Sequence, residues 1–164
     1  GKTVATCAYL KETTAQLAEL FPDGIIFVTV GQTPHIISLQ SCILKALEFT
    51  KPLVDTSDGN ARILETLAGK RCLLVLDDVW ERTHLDMLIS LHARPKGWSA
   101  VAVLITTRFK NLAPVHSGHE MLLLGELSDI EASALLDMPL ADGKLEKVLK
   151  LCARSPLALS ILGA

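Results

Sequence analysis

A chain of 164 residues with 49% hydrophobic and 21% charged side chains carries enough apolar material for a substantial buried core, which excludes a disordered polypeptide. Aromatics make up only 4%, so the core is expected to be built from Leu, Ile, Val and Ala, a bias that suits a sheet covered by helices on both faces. A formal net charge of -2 leaves no electrostatic footprint for nucleic acid or an anionic membrane, and no apolar stretch approaches the ~18 residues of a membrane span.

Taken from the first residue, Val4 to Leu20 places Leu10, Leu17 and Leu20 at near-helical spacing, and Phe21-Pro22-Asp23-Gly24 stops that helix with turn chemistry. Ile25 to Val30 is a β-branched run that reads as a buried strand. Helical spacing returns from Ile36 to Phe49 and again from Asp58 to Ala68, closed by Gly69-Lys70. Cys72 to Leu76 is a second strand, ending in Asp77 and Asp78. Leu85 to Leu91 reads as helix, Val101 to Ile105 as a third strand ending in Thr106, Thr107 and Arg108, and Met121 to Leu124 as a fourth. Ser128-x-x-Glu131 resembles a capping box, a further helix is expected from Gly143 to Ala153, and a last one starts near Ser155-Pro156.

Cys7, Cys42, Cys72 and Cys152 are widely spaced in apolar stretches and read as reduced, buried thiols of an intracellular, cytoplasmic protein. His116 and His119 flank a Ser-Gly loop and lack the accompanying ligands of a metal site. Trp80 and Trp98 read as packing or loop anchors.

Strands alternating with helices imply a parallel, doubly wound α/β fold, in which ligands bind beyond the carboxyl ends of the strands. Three features would meet ligand there. Gly1-Lys2-Thr3 opens a helix: backbone N–H groups at a helix start attract phosphate oxygens, a Lys adds a point charge, and a hydroxyl can coordinate Mg²⁺. The same tripeptide also suits an ordinary helix start. Asp77-Asp78 ends a buried strand, which holds one carboxylate rigidly for a metal shell while its neighbour can orient an attacking water. The pair can equally just make a strand-to-loop turn polar. Arg108 ends the next strand and can either contact a terminal phosphate or pair with a nearby carboxylate.

In this order the motifs resemble a known family. Gly1-Lys-Thr3, Phe27-Val-Thr-Val-Gly-Gln32, Lys70-Arg-Cys-Leu-Leu-Val-Leu-Asp-Asp-Val-Trp80, Leu104-Ile-Thr-Thr-Arg108 and Ser155-Pro-Leu-Ala-Leu159 together are similar to an NB-ARC domain. That family of P-loop NTPases covers plant disease-resistance proteins, apoptotic protease-activating factors and related ATPases. The resemblance implies ADP/ATP and Mg²⁺ as cofactors. It implies that Gly1 and Lys2 bind phosphate, that Thr3 and Asp77 hold the metal, and that Asp78 is the catalytic carboxylate. Arg108 would sense the terminal phosphate, and Pro156 would pack beside the nucleotide. Arg154 and Ser155 depart from the family, which usually has Gly and Leu there.

The implied organisation is a nucleotide-binding α/β domain over 1–127 lacking its first strand, then the start of a helical ARC subdomain over 128–164. The phosphate loop is entered partway, at Gly1, so the chain by itself is expected to be poorly stable and to bind nucleotide weakly. The implied function is a slow-hydrolysing nucleotide switch in defence or cell-death signalling, linked to effector and sensor-repeat domains and self-associating when active. The alternatives are an AAA-type motor, which usually has Asp-Glu where this chain has Asp77-Asp78, and a catalytically inactive scaffold.

Overall fold

The computed structural model describes residues 1–89, 100–112, 120–137 and 143–162. Three strands form a parallel sheet in the order β1-β2-β3: β1 is Ile25–Gly31, β2 Leu73–Val79 and β3 Ala102–Thr107. Before β1 come α1 (Lys2–Glu12) and α2 (Thr14–Leu20); α3 (Ile36–Ala46) and α4 (Thr56–Leu67) follow it, and α5 (Arg82–Leu88) follows β2. Helices α6 (Asp129–Leu136), α7 (Gly143–Leu151) and α8 (Pro156–Leu162) complete the chain. The α/β reading is met as a three-stranded parallel sheet with flanking helices.

By its internal contacts the chain divides into two compact units, one of Ala5–His116 and one of Gly1–Val4 with Ser117–Ala164. In the first, the sheet unit, β2 is central and buried on both faces, as its unbroken Leu-Leu-Val-Leu run requires. One face carries Leu74 and Leu76 into a core with Ile43, Leu44, Ile63, Leu67, Leu85 and Leu88 from α3, α4 and α5. The other carries Leu73 and Val75 against Leu17 of α2. Strand β1 is half-buried in strict alternation: Ile26, Val28 and Val30 point inward.

Polar ties fix the elements around this core. The Asp23 N–H donates to the Arg71 carbonyl at 3.1 Å, and the Arg71 N–H returns to the Asp23 carboxylate at 2.7 Å, which sets the start of β2 beside β1. Buried Gln40 donates through Nε2 to the carbonyls of Thr56 (2.8 Å) and Met87 (2.7 Å), joining α3 to α4 and α5. Gly59 makes that join possible, because a Cβ there would lie 2.1 Å from Gln40 Oε1.

The helical unit has a smaller core of Ala132, Leu145, Leu149 and Leu159. The capping box at α6 forms as read: the Glu131 N–H donates to Ser128 Oγ, and the Ser128 N–H donates to the Glu131 carboxylate at 2.8 Å.

Three expectations need correction. Met121–Leu124 is not a strand: no ladder partner pairs it among the described residues, and all four side chains are more than half exposed. An apolar run supplies strand propensity, but a strand exists only through its neighbour's hydrogen bonds. The first helix is interrupted at Thr13, where the Thr13 and Thr14 hydroxyls donate to carbonyls one turn back and compete with the backbone ladder. The thiols are all free, but only Cys72 is buried; Cys7 and Cys42 stand on solvent-facing sides of their helices. Burial, aided by the Asp23 carboxylate, raises the Cys72 thiol above its ordinary range.

Candidate functional site

The carboxyl edge of β2 and β3 is organised around one hydroxyl. The registers run Leu76 opposite Ile105 and Val79 opposite Thr107, with an irregularity between Leu76 and Val79 that gives β2 one extra residue there. This bulge turns Thr106 toward the acidic pair. Its buried hydroxyl donates to Asp77 Oδ1 at 2.7 Å and accepts the Asp78 N–H at 2.9 Å. One side chain of β3 therefore fixes both carboxylate-bearing residues of β2. Asp77 is 2% exposed, so its carboxylate is held rigidly in the protein at the sheet edge.

Asp78 has φ of 56°, in the left-handed region that costs a non-glycine residue about 1–2 kcal/mol. The strain is maintained by the bulge and by the bond to Thr106, and it swings the Asp78 side chain out of the sheet alternation. Its carboxylate then meets two partners: the Trp80 indole N–H donates to Oδ2 at 3.0 Å, and Arg108 Nε lies 3.9 Å from Oδ1. The Arg108 guanidinium also lies over the Trp80 ring, 5.3 Å from its centre, and Phe109 meets that ring edge-on at 5.8 Å. Asp77, Asp78 and Arg108 are thus brought together, with the Arg108 guanidinium beside the Asp78 carboxylate.

Within the helical unit, Gly1 immediately precedes α1, so Gly1-Lys2-Thr3 does open a helix. A Cβ added at Gly1 would stand 3.5 Å from Pro156 Cγ, which puts Gly1 beside the proline expected to pack near nucleotide. Pro156 occupies the first position of α8, where its missing N–H costs nothing. Ala153 and Arg154 take φ of 46° and 50°, backbone that glycine adopts freely and other residues rarely do. Arg154 holds it through its ion pair with Asp129 and through its carbonyl, which accepts the Leu127 N–H at 3.3 Å.

The donor chemistry fits a hard cation. The buried Asp77 carboxylate offers oxygen ligands of the kind Mg²⁺ takes in ones and twos, keeping waters and phosphate oxygens for the rest. His116, His119 and Trp98 lie outside the described residues.

Sequence reasoning gave no role to Thr106 or Phe109 and read Trp80 only as a packing or loop anchor. No local signal marked the Thr106 contacts, which form where the bulge offsets the two strands. The Asp78 backbone carried none either.

No described helix is long and apolar enough to cross a membrane. Residues 1–144 match the NB-ARC domain family. Among individual proteins, the chain is 28% identical over 153 residues to the disease resistance protein SUMM2 of Arabidopsis thaliana, covering 85% of the chain and 17% of that protein. It is 27% identical to the disease resistance protein UNI of the same plant, over 86% of the chain and 17% of the relative. To apoptotic protease-activating factor 1 of Danio rerio it is 26% identical over its whole length, which is 14% of that protein. The chain therefore spans about a sixth of the length of these relatives.

Proposed function

The chain belongs to the NB-ARC family, and from that premise we propose that it is an ADP- and ATP-binding switch whose state is set by the terminal phosphate. The observation that carries this reading is the buried Asp77 carboxylate, delivered by β2 to the sheet's carboxyl edge and fixed there by the Thr106 hydroxyl. A carboxylate so anchored is organised for a metal–phosphate group, and the adjacent strained Asp78 is separately oriented. In this reading Gly1 and Lys2 bind phosphate, Thr3 and Asp77 hold Mg²⁺, and Pro156 packs beside the nucleotide. Bound Mg²⁺ offsets phosphate charge. Asp78 orients water for slow hydrolysis, and Arg108 senses the terminal phosphate.

The names of the relatives, disease resistance proteins and an apoptotic protease-activating factor, support a role in defence or cell-death signalling. Cytoplasmic location, joined effector and sensor domains, and self-association on activation belong to the same proposal. A phosphate-dependent change of state is a shift between two conformations, and its size is limited by the difference in nucleotide affinity between them. The scaffold alternative draws support from one feature: both Asp78 carboxylate oxygens already face donors.

The test is to purify the natural protein that carries this chain without added nucleotide, denature it, and identify what is released by chromatography. Near-stoichiometric ADP, lost in Lys2→Ala, is the expected result. Empty protein that turns over ATP steadily would replace the switch with a motor, and empty inert protein would leave the scaffold.

A further inference from the structure

The aromatic pair at the sheet edge does something that the phosphate-sensing reading by itself does not require. Arg108 projects from the end of β3 with a 65% exposed side chain, and exposed arginines carry large rotamer freedom. Here it lies over the Trp80 ring at 5.3 Å with Nε 3.9 Å from Asp78 Oδ1, two contacts that restrict that freedom. Trp80 is itself held on two sides, by the bond from its indole N–H to Asp78 Oδ2 and by the edge-on contact of Phe109. The indole therefore offers its face to the guanidinium while its edge is anchored to the acidic pair. Asp78 is accessible enough, at 34%, for its ion pair with Arg108 to be weak by itself. The ring face supplies the rest of the hold.

We propose that Trp80 is the resting place of Arg108: a positioning residue that keeps the guanidinium at the acidic pair when no terminal phosphate is present. The inference rests on the switch reading and deepens it. A nucleoside triphosphate must draw Arg108 off the indole to be sensed, whereas a diphosphate leaves it in place. Trp80 thus weakens triphosphate binding relative to diphosphate binding and sets the threshold of the switch.

Two substitutions separate the ring face from the N–H. Trp80→Phe removes the bond to Asp78 and keeps an aromatic face; Trp80→Ala removes both. Affinities for ADP and for a non-hydrolysable ATP analogue are measured in the natural protein and in each variant. Trp80→Ala is expected to raise the triphosphate-to-diphosphate affinity ratio about two- to fivefold, the effect of one exposed cation–π contact. Trp80→Phe is expected to leave the ratio nearly unchanged. Loss of structure lowers both affinities together and does not move the ratio. A second readout uses the natural protein directly: the part of its tryptophan fluorescence that disappears in Trp80→Phe belongs to Trp80, and that part should respond to the ATP analogue and not to ADP. Equal ratios in all three proteins, equal shifts in both Trp80 variants, or identical fluorescence with the two nucleotides overturns the role of Trp80 while leaving the switch standing. Protein that binds neither nucleotide overturns both.

Discussion

Strand β2 of the sheet unit buries Leu73, Leu74, Val75 and Leu76 in one unbroken run, whereas Met121, Leu122, Leu123 and Leu124 of the helical unit stand mostly in solvent. The two tetrapeptides are nearly interchangeable as sequence. What separates them is neighbours: β2 has a paired strand on each side and a helical layer on each face, and residues 121–124 have no ladder partner among those described. Apolar content therefore predicts stability only where topology supplies partners. In the sheet unit, rigidity follows from the packing, and the strained Asp78 backbone is carried on it. In the helical unit, local devices have a larger part: the capping box, the Arg154–Asp129 pair, and the Lys150–Glu146 pair at 2.7 Å.

Matched truncations test this contrast most directly. Leu76→Ala removes a fully buried side chain and is expected to destabilise the chain by about 2–5 kcal/mol, the transfer loss plus the cavity it leaves. Leu123→Ala, at a residue 64% exposed, is expected to stay within about 0.5 kcal/mol. Urea denaturation followed by circular dichroism measures both. Similar losses at the two positions would mean that residues 121–124 are buried in solution, and the comparison would fail.

The next effect concerns how the sheet unit holds its acidic pair. Thr106→Val keeps the side-chain shape but deletes the hydroxyl that donates to Asp77 and accepts from Asp78. The expected cost is about 1–3 kcal/mol, since a largely enclosed N–H loses its acceptor and a buried carboxylate loses a donor. Thr106→Ser should recover most of it. A Thr106→Val protein as stable as wild type by the same denaturation experiment would show that the bulge, and not the hydroxyl, maintains the Asp78 conformation.

Much of this was readable in the residues. The three strands of the sheet are long aliphatic runs, and such runs between amphipathic stretches have few other folded uses. Asp77, Asp78 and Arg108 were locatable because a parallel sheet gathers the carboxyl ends of its strands. What could not be read is geometric. A one-residue bulge and a φ of 56° at an ordinary aspartate depend on strand pairing, to which no local propensity points. Trp80 was recognised as an anchor, but its partners come from the bulge and from the residues just after β3. Met121–Leu124 was misread for the complementary reason, since its composition spoke for a strand and its partners could not be seen.

The smallest expected effect is a pH dependence confined to the helical unit. Glu131 is held below the ordinary glutamate value of 4.5 by the Ser128 hydroxyl and backbone N–H, and Glu146 is lowered by its bond and charge contact with Lys150. A carboxylate with a depressed folded value contributes stability that is complete above the unfolded value and disappears as pH falls through the folded one. Acidification below about 4.5 should therefore loosen α6 and α7 progressively. Both side chains are exposed, so solvent screening keeps the change small. Amide hydrogen exchange in α6 and α7, followed from neutral to acid pH, measures it, and in Glu131→Gln with Glu146→Gln the dependence should flatten because neither amide titrates. Protection that declines equally in the double variant would place the acid sensitivity on other carboxylates, and the division between a unit held by packing and a unit held by caps and charges would lose its electrostatic half.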